Sequence, residues 1–261
     1  MSKTPSSDLL TQDEEGILTV TINRPHRRNA VDRETADQLY ATLKAFDANP
    51  DVSVAILTGS GGTFCAGADL QALSDGHGNR VESEGDYGPM GPTRLRLSKP
   101  VIAAIEGHAV AGGLELSLWC DLRVASQSAV FGVFCRRFGV PMIDGGSIRL
   151  PRLIGQSRAM DMFLTGRPVA AEEAYQIGLA NRIVPEGTAL EAAKALAQQI
   201  AAFPQTCLRN DRQSLLEQWS LSEADALINE TALGLKTIQS GETVSGATRF
   251  KEGAGRGGSF S

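Results

Sequence analysis

The sequence predicts an α/β fold that gives way to a helical C-terminal region. Three observations carry this: strand-like and short helical runs alternate over the first two thirds of the chain, long helical patterns take over after Pro185, and 42% apolar residues in 261 suffice for one large core. The expected division is a core over residues 1–200 and a helical region over residues 201–261.

The first element is the strand Ile17–Ile22, with Leu18, Val20 and Ile22 on one face and Thr19 and Thr21 on the other. Pro25 stops it. Asp32 then N-caps a helix whose apolar positions Ala36, Leu39, Tyr40, Leu43 and Phe46 recur at helical spacing until Asn49-Pro50. A short buried strand over residues 54–58 breaks at Gly59-Ser60-Gly61-Gly62. Residues 74–92 carry five glycines and two prolines, and read as an exposed, mobile loop. Strands follow at Val101–Ile105, at 122–125 and near Val130-Phe131, with short helices after Gly145 and Gly155. Helical patterns then cover 190–201, 208–219 and 222–238, the last with Ser222 and Asp225 at capping-box spacing. The Gly-rich tail, 253–261, is expected to fray.

A net charge of -5 argues against nucleic acid, which needs clustered Lys and Arg. The longest weakly charged stretch, 101–120, is interrupted by Glu106, His108 and Glu115 and makes no bilayer span. Residues 1–10 lack a basic region followed by an apolar run, and Gly258-Ser259-Phe260-Ser261 is no peroxisomal tripeptide, so a cytoplasmic setting is expected. Cys65, Cys120, Cys135 and Cys207 show neither metal-ligand spacing nor dense pairing, which predicts reduced thiols and no metal. Two basic clusters, Arg24-Arg27-Arg28 and Arg249-Lys251-Arg256, offer either an anion site or a solvated face.

Chemistry concentrates in two glycine-containing turns, each following a strand: residues 63–70 and residues 107–116. Small residues there let a ligand approach the main chain. In the second, glycines open a helix, whose unpaired N–H groups and positive dipole end suit an anionic oxygen. Glu115 lies three residues beyond Gly112, on the side of the turn, in an apolar segment with Leu114, Leu116, Leu118 and Trp119. Burial should raise its pKa toward neutrality and fit it for proton transfer; the alternative is a core Glu satisfied by hydrogen bonds.

These residues resemble the enoyl-CoA hydratase/isomerase (crotonase) superfamily in order and spacing: Asn23-Arg24-Pro25 with Asn29-Ala30, Phe64 to Leu70, Lys99 to Ile105 leading into Gly112-Gly113-Leu114-Glu115-Leu116, then Cys120 to Ala125. The similarity covers about Ile17 to about Glu252. It implies a spiral of β-β-α units that binds acyl-CoA, and a C-terminal helical region that packs homotrimers, often paired as hexamers. It further implies an oxyanion hole at the N–H groups of Ala68 and Gly112, and a coenzyme A groove lined by Arg27, Arg28, Ala30, Ala66, Asp69 and Leu70. Coenzyme A would arrive as part of the thioester substrate, with no separate cofactor. The implied activity is hydration, dehydration or double-bond isomerisation of an enoyl-CoA through a stabilised enolate.

The sequence departs from that pattern at one position. Hydratases of the family use a second glutamate twenty residues beyond the one matched by Glu115, and here Cys135 stands there. A thiol with a reference pKa of about 8.5, raised further by apolar burial, does not replace a carboxylate. Asp144 appears nearby, ahead of Gly145-Gly146, as in the naphthoate-synthase-like branch, where an Asp-Gly-Gly carries a functional carboxylate. It is either a second acid/base or the N-cap of the helix containing Ile148 and Leu150. Two other classes stay open: a non-catalytic acyl-CoA scaffold, against which the retained Glu115 speaks, and decarboxylation or C–C chemistry on the same enolate. Ser117, with only His26, His77 and His108 available as partners, reads as structural rather than as a peptidase nucleophile.

Overall fold

The computed structural model describes residues 7–255, which divide between Ile200 and Ala201 into two units. Residues 1–6, and residues 256–261 with Arg256 and the end of the Gly-rich tail, lie outside the described residues.

In the first unit, β1 (Leu9–Glu14) and β2 (Ile17–Ile22) form a hairpin, with Leu9 opposite Ile22 and Glu14 opposite Ile17. Glu15 and Gly16 make the turn with φ of 53° and 75°, the left-handed pair that matches strand twist. The sequence reading had no β1, because only Leu9 of its residues is buried and no alternation marks it. The Asp32 carboxylate accepts the Thr35 N–H at 2.9 Å and caps α1 (Arg33–Ala48), which buries Ala36, Leu39, Leu43 and Phe46. Then follow β3 (Val54–Gly59) and a short α2 (Leu70–Ser74).

From there the chain repeats one motion: a strand in the first sheet, a strand in a second sheet, then a helix. One turn is β4 (Val101–Ile105), β5 (His108–Val110) and α3 (Gly112–Trp119). The next is β6 (Leu122–Ser126), β7 (Val130–Gly132) and α4 (Gly146–Ile154). Earlier turns follow the same path in reduced form, with Val31 bridged to Ala68 and Cys65 bridged to Ala109. Successive turns stack because β2, β3, β4 and β6 pair in parallel, as do β5 and β7, and parallel neighbours require crossovers such as these helices. α5 (Gln156–Thr165), β8 (Val169–Ala170), α6 (Ala171–Gln176), β9 (Arg182–Val184) and α7 (Ala189–Ala201) complete the unit. The first sheet runs β1-β2-β3-β4-β6-β9, the second β5-β7-β8. β4 is buried at every residue, as expected of a strand covered on both faces.

The 74–92 stretch is not the uniformly exposed loop its composition predicts. Residues 80–86 are exposed, but Tyr87, Met90 and Thr93 are buried. Tyr87 donates its hydroxyl to Asp37 at 2.8 Å, and Gly91, at φ 89°, lies against the α1 backbone where a Cβ would collide with the Ala36 carbonyl. The Gly- and Pro-rich half is therefore packed inward while the charged half is exposed, and it carries Met90 and the adjoining Thr93 to the interior.

The second unit holds α8 (Gln205–Glu217), α9 (Glu223–Gln239) and α10 (Glu242–Lys251). The Ser222 hydroxyl accepts the Asp225 N–H at 3.2 Å, which is the expected cap. Asn210 ties α8 to α9, donating to Leu233 O at 3.2 Å and Thr237 Oγ1 at 2.9 Å, and Glu242 accepts the N–H groups of Thr206 and Cys207. No described helix is long and apolar enough to cross a membrane.

Candidate active site

Two backbone N–H groups are left open where the two glycine-containing turns meet. Val31 N–H donates to Gly67 O at 2.8 Å and Asp69 N–H to Val31 O at 2.9 Å, so the N–H of Ala68, between them, points away from Val31. Gly112 is the first residue of α3, where the helix provides no acceptor. Among the described residues neither N–H has a protein acceptor. The turns touch at Gly67, φ 100°, where a Cβ would lie 2.8 Å from Ala111 Cβ and 3.0 Å from Gly112 N. Ala111 itself has φ 54° and ψ -127°, a conformation that costs about 1–3 kcal/mol and persists only where surroundings impose it. Here its N–H donates to Gly132 O at 2.9 Å while its carbonyl accepts the Glu115 N–H at 3.2 Å.

Glu115 is 2% exposed, and its Oε1 accepts the N–H groups of Asp144 at 2.9 Å and Gly146 at 2.8 Å. Burial, then the charge of Asp144, push its carboxyl up to about 7, against the pull of those N–H groups and of Arg149. Asp144 is 4% exposed; its Oδ1 accepts the Met90 N–H at 2.9 Å and the Thr93 hydroxyl. Burial raises its pKa too, with Thr93, Met90, Arg94 and Arg149 opposing. In each carboxylate one oxygen is anchored, while Oε2 of Glu115 and Oδ2 of Asp144 have no donor among the described residues.

This geometry overturns the N-cap alternative for Asp144. Gly145, at φ 94°, is the N-cap of α4, with no side-chain cap bond, and the Asp144 carboxylate turns instead toward the 90–93 segment. Cys135 lies in a 3₁₀ turn, Phe134–Phe138, with Sγ 3.4 Å from Met142 Sδ. Burial, then the nearby Glu115 charge, raise its pKa, so it stays a thiol.

Arg28 O accepts the Ala66 N–H at 3.1 Å, which brings the 27–30 and 66–70 segments together. Arg27 and Arg28 are exposed, Ala30, Ala66 and Ala68 half-buried, and Leu70 exposed. Two residues sit differently from expectation. Asp69 is buried, caps α2 through Gln71 N at 3.0 Å and Ala72 N at 3.2 Å, and pairs with Arg24 at 3.2 Å, so its side chain is committed to structure. Arg24 is buried as well, held by Asp32 at 2.6 Å and Asp8 at 3.4 Å, and does not join Arg27 and Arg28 in an exposed patch.

Three residues of the site escaped the sequence reading: Met90, Thr93 and Arg149. Met90 packs over Gly112, where a Cβ would lie 2.7 Å from its sulfur. The apolar residues of the Tyr87-Gly88-Pro89-Met90 run were the available signal, masked by the surrounding glycines and charges.

A family model described as enoyl-CoA hydratase/isomerase matches residues 12–255. The chain is 37% identical over 249 residues to the enoyl-CoA hydratase EchA19 of Mycobacterium tuberculosis, covering 94% of each. It is 36% identical to the mevalonyl-coenzyme A hydratase SIDH of Beauveria bassiana, covering 87% of this chain and 85% of the relative. Among solved structures, it is similar to the enoyl-CoA hydratase EchA1 of Mycobacterium marinum, with TM-score 0.88, 36% identity, and 94% and 96% of the two chains covered.

Proposed function

The chain belongs to the enoyl-CoA hydratase/isomerase family, and from that premise we propose that it adds water reversibly across the α,β-double bond of an enoyl-CoA thioester. The observation that carries this is the pairing of two buried carboxylates, each with one oxygen anchored and one open, beside two unpaired N–H groups.

In the forward direction the thioester carbonyl accepts hydrogen bonds from Ala68 and Gly112. The ionised Asp144 takes a proton from water as the water oxygen bonds to the β-carbon, and the double-bond electrons move onto the carbonyl oxygen. The enolate collapses as the α-carbon takes the proton of Glu115. Solvent then returns the proton from Asp144 to Glu115, so the sum is one water added. This reading takes Asp144 as the base and Glu115, pushed up by burial and by the neighbouring Asp144 charge, as the acid. Each oxyanion donor is worth roughly 2.7–4 kcal/mol, and a positioned acid or base roughly 100- to 10,000-fold.

Arg27 and Arg28 suit the phosphates of coenzyme A, with Ala30, Ala66, the Asp69 backbone and Leu70 along the same groove. The chemistry as written draws on two side chains, two backbone N–H groups, water and the thioester, with no separate cofactor. Exposed Leu215, Leu227, Ile228, Leu235 and Ile238 on α8 and α9 favour a homotrimer or a hexamer of two trimers. Reduced, unpaired cysteines fit a cytoplasmic setting.

The test is turnover of purified protein on trans-2-enoyl-CoA thioesters of graded chain length, with products identified by mass. Gain of one water supports hydration; products of unchanged mass would make it an isomerase, and no turnover on any thioester would favour a scaffold.

A further inference from the structure

One half-buried side chain beside the carboxylate pair that this mechanism leaves unused is Arg149. We propose that Arg149 is the positioning residue of the carboxylate pair: its guanidinium ties the Asp144–Gly146 turn to the Met90–Thr93 segment and holds both acid/base groups in register. This rests on the assignment of Glu115 and Asp144 as that pair.

Arg149 Nη1 donates to Asp144 O at 2.8 Å and Nη2 to Thr93 O at 2.7 Å. The two segments it joins are also joined by Asp144 Oδ1, which accepts from Met90 and Thr93. The same turn presents the N–H groups of Asp144 and Gly146 to Glu115. One guanidinium fork thus fixes the backbone that seats Glu115 and the segment whose Met90 N–H and Thr93 hydroxyl seat Asp144. The fork lies close against the turn, where a Cβ on Gly145 would meet Nη1.

Helix preference does not explain a cation there. Arg149 lies at the end of the first turn of α4, where the helix dipole disfavours positive charge and no carboxylate on α4 offsets it. The charges that offset it are Asp144, just ahead of the α4 N-cap, and, once ionised, Glu115 on α3. Glu115 faces Asp144, Arg149 and the Cys135 thiol; Asp144 faces Arg94 and Arg149; Arg149 also faces Cys120 and Arg152. β5 brings only the exposed His108. A guanidinium holds two carbonyls in a planar, fixed fork, whereas an ammonium holds them without that fixed geometry.

The experiment compares the wild-type protein with Arg149→Met and Arg149→Lys by two readouts. Infrared difference spectroscopy follows titration of the Glu115 carboxyl, identified as the band lost in Glu115→Gln, and kcat and KM are measured against pH on a short enoyl-CoA. In Arg149→Met the Glu115 titration moves up by roughly one pH unit, and kcat falls at least about tenfold with KM unchanged. Arg149→Lys keeps the titration but not the full kcat, since charge remains and the fork is lost. A Glu115 titration unmoved in Arg149→Met overturns the proposal whatever turnover does. Should that variant not fold, Arg149→Lys decides, because wild-type kcat there overturns it and reduced kcat at unchanged KM supports it. A wild-type protein inactive on every enoyl-CoA would sink the hydratase assignment, while the infrared titration would still decide whether Arg149 holds Glu115.

Discussion

Glu115 Oε1 lies 2.8 Å from the Gly146 N–H, so the buried carboxylate of α3 sits on the N-terminus of α4. The contact leaves no room for a side chain at 146. A Cβ there would lie 2.9 Å from Glu115 Oε1 and 2.6 Å from Met142 Cε. Gly146→Ala should therefore displace the carboxylate, lowering kcat at least about tenfold and stability by about 1–3 kcal/mol from overpacking. Urea unfolding together with steady-state kinetics checks both.

Glu115→Gln leaves the geometry in place, because the amide oxygen can accept the same two N–H groups. What it removes is the exchangeable proton, so turnover should fall roughly 100- to 10,000-fold with KM little changed. Wild-type kcat in this variant would take Glu115 out of the mechanism.

The raised pKa also makes a stability prediction with a definite sign. Glu115 titrates at about 7 when folded against an ordinary 4.5, so between those values the folded chain keeps a proton that the unfolded chain has lost. Its contribution is fully present below 4.5 and is lost as pH rises through about 7. Relative to Glu115→Gln, the wild-type protein should lose on the order of 3 kcal/mol across that window. Parallel denaturation series at pH 5 and pH 8 measure the difference, and equal pH slopes would contradict it. Hydration should likewise decline above about 7, where Glu115 gives up the proton the α-carbon needs.

Of the two proposed oxyanion donors, Ala68 gives the cleaner test. At Gly112 any added ring or methyl would strike Met90, so loss of the N–H could not be separated from displaced packing. Ala68→Pro deletes the N–H without breaking a protein hydrogen bond, since none is made there. We expect kcat to fall roughly 100- to 1,000-fold with the thermal midpoint close to wild type.

Much of this site was legible in the sequence because its parts are backbone features with side-chain signatures. Glycines at 67 and 112 mark the turns that expose N–H groups, and a lone Glu in the apolar run 114–119 marks a buried carboxylate. The α1 boundaries were equally plain, since Asp32 and Asn49-Pro50 act locally. What stayed hidden depends on contacts across the chain. Thr93 and Arg149 are separated by 56 positions, and nothing near either one announces that they meet. β1 stayed hidden for the opposite reason: it pairs through its backbone at the sheet edge and buries only Leu9.

Asp144 is proposed to serve where the family resemblance implies a glutamate at position 135. Its carboxylate does not cap α4, so a structural role would have to come from the bonds to Met90 and Thr93. Asn keeps an oxygen for both donors, so Asp144→Asn should fold and bind enoyl-CoA nearly as the wild-type protein does. It cannot take a proton from water, and turnover should fall roughly 100- to 10,000-fold. Cys135→Ala removes a buried thiol that packs on Met142 and holds no charge, so it should cost about 1 kcal/mol of stability and leave kcat within a few-fold. Kinetics of the two variants on one substrate separate the roles. Near-wild-type turnover of Asp144→Asn, with a large loss in Cys135→Ala, would place the base at Cys135 and remove Asp144 from the reaction.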